Sequence, residues 1–367
     1  MLILARSYLC ALAIVLLVVG CGKSPDQIGV DNPEKPVASL KTPNLHKIFV
    51  MTTREKADDL PVFYNANRST EVGLAAVTVS VPPTHVLGEL EVPRSLPPDP
   101  QTEFTVVDPR IYTTDNAFVR ELNEELATRV PSEQNVLFFV HGYNNRTTDA
   151  VLRLAQFVED TGFEGVPILF TWASAGEVLK YVYDLNSALV ARSSLPEVFR
   201  IAGSTNARTF DIFAHSMGTF LIMESLVQAE LIGQLESATR LENVVLASPD
   251  IDIDLFKTQI GQIRSSFDNY FVLISEDDAA LRASRVLSGG IDRVGSANAE
   301  ELADLGLTVI DLSEIDDSAS GSHSKFAGSP EVVQLLGRGL NSNFLTTGSP
   351  SALTQLAIGI PVQIITQ

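Results

Sequence analysis

Ser216 is the residue of this sequence best placed to act as a nucleophile. It stands in Ala214-His215-Ser216-Met217-Gly218, after a short apolar run with Phe210, Ile212 and Phe213 and before the helical pattern FLIMESLVQAEL. A buried strand, a sharp turn carrying serine and a helix lift a hydroxyl above the end of a sheet, beside the positive end of the helix. Such a turn is sterically tight, so the residues two before and two after the serine must be small. Ala214 and Gly218 meet that need. The chemistry this arrangement serves is acyl transfer through a covalent serine ester.

A serine hydroxyl needs a base, and the base needs a partner to orient it. For a serine on this kind of turn the chain order is nucleophile, acid, histidine. Of five histidines only His323 follows Ser216, in the polar loop GSHSKF. The acid must lie at a strand end between them: Asp277 or Asp278 after FVLIS, or Asp250 after VVLASP. The later strand end favours the Asp277–Asp278 pair and leaves Asp250 in reserve. Two backbone amides are needed for the oxyanion. Met217 follows the nucleophile, and Tyr143 lies in the loop after the apolar run VLFFV. His141 at that strand end reads as a tie between loops. His215 points away from the hydroxyl, and His46 and His85 read as structural or surface residues.

The elements that must position these residues alternate along the chain. Apolar runs at 46–53, 74–81, 136–140, 167–172, 244–247, 270–275 and 307–311 read as strands. Helical patterns fall at 118–130, 149–162, 175–192, 195–202, 281–287 and 331–340, with Thr147 or Thr148 as a cap for the second. Strand–helix alternation predicts a mostly parallel sheet covered on both faces. Ligands of such sheets bind at the carboxyl ends of the strands, where Ser216 falls. Residues 341–367 carry weak signals, for an added strand or a loose tail.

A formal charge of −19 excludes a nucleic-acid binder, which needs a basic face. The two cysteines, Cys10 and Cys21, lie before the folded part, which excludes a disulfide framework. Residues 1–20 hold Arg6 and the run LCALAIVLLVVG, a signal-peptide pattern too short to span a bilayer comfortably. The junction Val18-Val19-Gly20-Cys21 resembles a bacterial lipobox, which makes Cys21 the lipidated first residue of a mature lipoprotein. Gly22, rather than aspartate, then points to the outer membrane. Residues 21–45, with Pro25, Pro33, Pro36 and Pro43 and no apolar period, read as a disordered tether. At about 3.1 Å per residue it would reach roughly 70 Å.

The stretches VMTTRE, VSVPPTHVLGELEVP, VHGYNN, FTWASAG, AHSMGT, VVLASPDID and ISEDDAALRASRVLSGGIDRVG together resemble a bacterial α/β-hydrolase family of unknown function. The likeness runs over residues 46–340. It implies an α/β-hydrolase fold with helices on both faces of the sheet. The family pattern serine-x-x-aspartate-x-alanine-leucine matches Ser275, Asp278, Ala280 and Leu281, which selects Asp278 over Asp277. A histidine near the end of the family domain matches His323. Ala173 departs from the family's frequent proline after Trp172, so the shape of the substrate wall is open. The expectation is a membrane-anchored, esterase- or lipase-like serine hydrolase of ester or thioester bonds in a small-molecule or lipid-like acyl substrate, using Ser216, Asp278 and His323. It needs no metal or cofactor. A non-catalytic binding or scaffold lipoprotein on the same fold is the alternative.

Overall fold

Period-two alternation along apolar strands builds the centre of the protein. In Val136–Val140 (β4), Val136, Phe138 and Val140 face one core while Leu137 and Phe139 face the other. Strands buried on both sides in this way belong to a parallel sheet clad in helices. The structure is a computed structural model. It describes residues 23–235, 238–263, 269–317, 321–341 and 357–366.

The other strands are Asn44–Lys56 (β1), Tyr64–Val81 (β2), Thr105–Tyr112 (β3), Val166–Thr171 (β5), Phe210–His215 (β6), Leu241–Ala247 (β7), Tyr270–Ile274 (β8), Thr308–Asp311 (β9) and Gln363–Ile365 (β10). They form one sheet in the order β10-β9-β8-β7-β6-β4-β5-β1-β2-β3. Neighbours from β1 to β9 across the centre pair parallel. The antiparallel pairs are β1–β2, β2–β3 and β9–β10.

One face is covered by Asp115–Leu126 (α1), Tyr181–Arg192 (α3), Leu195–Gly203 (α4), Met217–Leu231 (α5), Ile253–Gln262 (α6) and the short Ala299–Ala303 (α8). Thr147–Thr161 (α2), Lys325–Gly328 (α9) and Pro330–Leu340 (α10) cover the other. Ala279–Leu287 (α7) begins beside the strand ends. A strap of chain after β2 is clasped to α2. His85 bonds Glu91 at 2.8 Å and Asp160 at 2.7 Å, and Gly88 N donates to Asp160 at 3.0 Å.

Three expectations are corrected. Residues 23–45 are no free tether: Gln27 and Ile28 are fully buried, and Val37 and Leu40 pack on Val107. The reason is that a few isolated apolar residues anchor an irregular segment without any period. The helix expected over 175–192 starts only at Tyr181, because Gly176 adopts φ 69° and residues 178–180 form a tight 3-10 turn. The cap of α2 is neither Thr147 nor Thr148. Asp149 accepts from Arg146 N at 2.9 Å, and Thr147 Oγ1 donates to Tyr64 O at 3.0 Å. Beyond residue 341, β10 adds an antiparallel strand to the sheet. The signal peptide, Cys21 and Gly22 lie outside the described residues.

Candidate active site

Ser216 occupies the sharp turn between β6 and α5 with φ 54° and ψ −125°. This is the left-handed half of backbone space, costly for a residue with a Cβ and held only by its surroundings. Those surroundings are specific. Ser216 N donates to Ala247 O at 2.9 Å, and Ser216 O accepts from Thr219 N at 3.0 Å. A Cβ on Gly218 would lie 2.5 Å from His141 O and 2.8 Å from Val140 O, so only glycine lets α5 cross β4 this closely. Ala214 is fully buried between Val140 and Leu246 on the neighbouring strands.

His323 arrives from the loop after β9. Its Nε2 lies 3.0 Å from Ser216 Oγ and its Nδ1 lies 2.7 Å from Asp278 Oδ2. Asp278 is fully buried at the start of α7, and its other oxygen accepts from Leu281 N at 2.9 Å. The structure therefore brings Ser216, His323 and Asp278 together in one chain of hydrogen bonds. With Nδ1–H donated to Asp278, Nε2 is left as an acceptor facing the serine hydroxyl.

The other two candidate acids have other partners. Asp277 faces Ser275, Ser322 Oγ at 2.6 Å and Lys325 Nζ at 2.8 Å. Burial pushes its carboxyl up, but these three donors and the lysine charge hold it down at about 2. It works as a strut that ties the His323 loop to β8. Asp250 accepts from Ser284 Oγ at 2.5 Å and Tyr181 Oη at 3.0 Å, with Arg293 Nε at 3.3 Å.

The loop after β4 crosses directly over the serine: a Cβ on Gly142 would sit 2.8 Å from Ser216 Cβ. The amides of Asn144 and Asn145, farther along, are committed to Asp184 Oδ2 at 3.1 Å and Ser174 Oγ at 3.0 Å. Tyr143 precedes them, and Met217 is the first residue of α5, where an amide has no acceptor within its own helix. Tyr143 thus follows the glycine that lies over Ser216, and Met217 follows Ser216 itself.

Sequence reasoning missed the residues that hold this loop. Arg54, fully buried at the end of β1, donates to Asn145 O at 2.7 Å, Ser174 O at 2.8 Å and Thr171 Oγ1 at 2.8 Å. Burial lowers its pKa to about 10, against the pull of Asp184 and Asp149, which leaves it charged at neutral pH. Asp184 of α3 accepts from Asn144 N, Ala175 N at 2.7 Å and Ser174 Oγ at 2.5 Å. The only signal for Arg54 in the sequence is its place in VMTTRE.

His141 is buried and stacks on Trp172 with ring centres 5.2 Å apart. Its Nδ1 donates to Gly142 O at 2.8 Å, and its Nε2 accepts from Thr171 Oγ1 at 3.0 Å. Burial, with Arg54 nearby, pushes its pKa down to about 3, so it stays neutral. His215 donates from Nε2 to His323 O at 3.0 Å and thereby pins the histidine loop. Burial and the neighbouring His323 hold its pKa well below the usual range.

Among the described residues no cluster of His, Cys, Asp and Glu is arranged to hold a metal ion. A cavity of about 860 Å³ lined by Phe138, Leu195, Phe199 and Phe210 lies toward the opposite, amino ends of the strands, away from Ser216. No helix among the described residues is long and apolar enough to cross a membrane.

A parallel sheet clad on both faces, with a serine at a strained strand–helix turn above its carboxyl ends, defines the α/β-hydrolase class. Within that class, residues 115–339 match a known family, and the chain belongs to it: the α/β hydrolases of unknown function designated DUF900. No curated protein matches the sequence. Three solved structures show looser likeness. A structure from work on two fungal esterases of Rhizomucor miehei aligns at 9% identity and TM-score 0.32, covering 88% of this chain and 83% of that one. The hyperthermophilic esterase of the archaeon Pyrobaculum calidifontis aligns at 12% and 0.36, covering 73% and 81%. A thermostable esterase from Pseudomonas putida ECU1011 aligns at 14% and 0.36, covering 85% and 86%. Likeness this loose transfers no activity.

Proposed function

We propose that the protein is a serine hydrolase of ester or thioester bonds, held at the bacterial cell envelope by a lipidated Cys21. The observation that carries the chemistry is the pair of contacts from His323, 3.0 Å to Ser216 Oγ and 2.7 Å to Asp278 Oδ2. Ser216 Oγ attacks the acyl carbonyl while His323 Nε2 takes its proton. The Tyr143 and Met217 amides hold the resulting oxyanion. Collapse breaks the bond to the leaving group, which departs with the proton from His323. A water, deprotonated by the same nitrogen, then attacks the acyl-serine; collapse breaks the bond to Oγ, releases the acid and returns the proton from His323 to Ser216. Asp278 keeps the imidazole in the required tautomer and stabilises its charged form.

The anchor rests on the VVGC junction, and sorting to the outer membrane on Gly22. The test of the chemistry is intact mass after treatment with a fluorophosphonate. Wild type gains one adduct and turns over p-nitrophenyl esters; Ser216→Ala does neither yet keeps its fold. A folded wild-type protein that takes no label and cleaves no ester at any acyl length would favour a binding protein. The test of the anchor is fractionation: wild type stays with membranes through washing, whereas Cys21→Ser washes off into the soluble fraction. A soluble wild type without lipid mass at its N-terminus would overturn it.

A further inference from the structure

The first described residues do not leave the domain at random. Lys23 Nζ donates to Asn144 O at 2.7 Å and lies 3.5 Å from Asp149. Arg146 reaches back to Ser24 O at 2.6 Å and to Asp26 at 3.5 Å. The N-terminal segment is thus locked onto the loop that carries the Tyr143 amide. Cys21 is two residues upstream of Lys23, and two residues of chain span at most about 7 Å.

The same rim carries unpartnered apolar side chains. Val178, Leu179 and Val182 are 64%, 98% and 67% exposed. Val178 and Leu179 sit on the segment leading into α3 and Val182 in its first turn, and the carbonyls of Glu177 and Val178 accept from Tyr143 Oη. Tyr181, between them, packs its ring edge-on to Tyr143 at 5.4 Å. Gly176, at the start of this segment, lies against Arg146 and Lys23. The leader, the oxyanion loop and the apolar ridge therefore form one continuous border of the site.

We infer that this border seats on a phospholipid bilayer, so that the site opens onto the membrane and its substrate is an acyl ester resident there. The inference rests on the serine-hydrolase reading for its substrate half. A net charge of −19 repels an anionic surface, so the seat must be apolar. Leu179 and its neighbours supply an apolar contact of the size that dips into the headgroup boundary. A lipid on Cys21, two residues of chain before the docked Lys23, would hold this border near the same bilayer. A long free tether would have left the orientation open; the docked leader restricts it.

The experiment uses the full-length lipidated protein and vesicles of phosphatidylcholine and phosphatidylethanolamine. One substrate, p-nitrophenyl palmitate, is dispersed in the vesicles; the other, p-nitrophenyl acetate, is in water. The double variant Leu179→Ser/Val182→Ser should lose tenfold or more of the vesicle rate and keep the acetate rate and fluorophosphonate labelling. In the lipid-free Cys21→Ser background, flotation with vesicles should weaken on adding the double substitution. Equal vesicle rates and equal flotation with and without it would overturn the inference. So would a concentration-dependent dimer that the double variant disrupts while the vesicle rate stays unchanged, since a second copy would then occupy the ridge. Absence of turnover and labelling sinks the hydrolase reading and the substrate half with it, while flotation still decides the seat.

Discussion

Asp278 and Asp277 are adjacent in the chain and differ in everything that matters for catalysis. Asp278 is buried against His323, whereas Asp277 is held by Ser275, Ser322 and Lys325. Asp278→Asn should therefore lower kcat by about 10³–10⁴-fold through loss of the imidazole's orientation. Asp250→Asn should change it far less, because Asp250 serves Tyr181, Ser284 and Arg293. Steady-state kinetics on p-nitrophenyl acetate decide between them, and equal losses would displace Asp278. Gly218→Ala would force a methyl within 2.5 Å of His141 O. Overpacking of this kind costs about 1–3 kcal/mol, with more where backbone must move. Denaturant melts should show it, and an unchanged midpoint would refute the close crossing. The serine and histidine were legible because small flanks and chain order are local signals. The acid was not legible from spacing alone, since two adjacent carboxylates share one strand end.

Among the elements, strands were easier to read than what ties them together. The five residues of β4 are apolar throughout, and a central strand must look so. Arg54 and Asp184 gave no comparable signal, because the loop residues they hold, Asn145 and Asn144, lie 91 and 40 residues away in the chain. Asp184→Asn keeps the volume but weakens the hold on Asn144 and Ala175. We expect kcat to fall by about 10²-fold, the scale of losing one oxyanion donor, with KM little changed. A rise in KM alone would place the effect in binding instead. The strap on α2 has its own pH signature. Burial pushes the His85 pKa down, but Asp160 and Glu91 outweigh it and raise it from 6.5 to about 9. The folded state therefore binds this proton more tightly than the unfolded chain does. The stabilisation is full below pH 6.5 and is lost as pH rises through about 9. His85→Gln should flatten the stability profile between these limits, and an unchanged slope would rule His85 out as its source.

At the scale of the whole molecule, the clearest departure from the sequence reading is the leader. Four prolines and no period suggested a tether, yet Ile28, Val37 and Leu40 are buried. Single apolar residues in irregular chain leave no pattern to detect, and only the surfaces they cover reveal them. Removing residues 23–43 should therefore destabilise the protein, by about 1.5–3 kcal/mol for each of these three side chains. Calorimetry should show a Tm lower by several degrees; an unchanged Tm would restore the tether. The opposite border of the sheet carries a different implication. Ile364 and Ile365 of β10 pair with Ile310 and Val309 of β9. Until that late segment is made, a nascent chain offers the bare rim of β9 to any other strand. Stalled translation or a premature stop before Gln363 thus yields not a shorter protein but a sticky one, and clearing such fragments falls to chaperones and proteases.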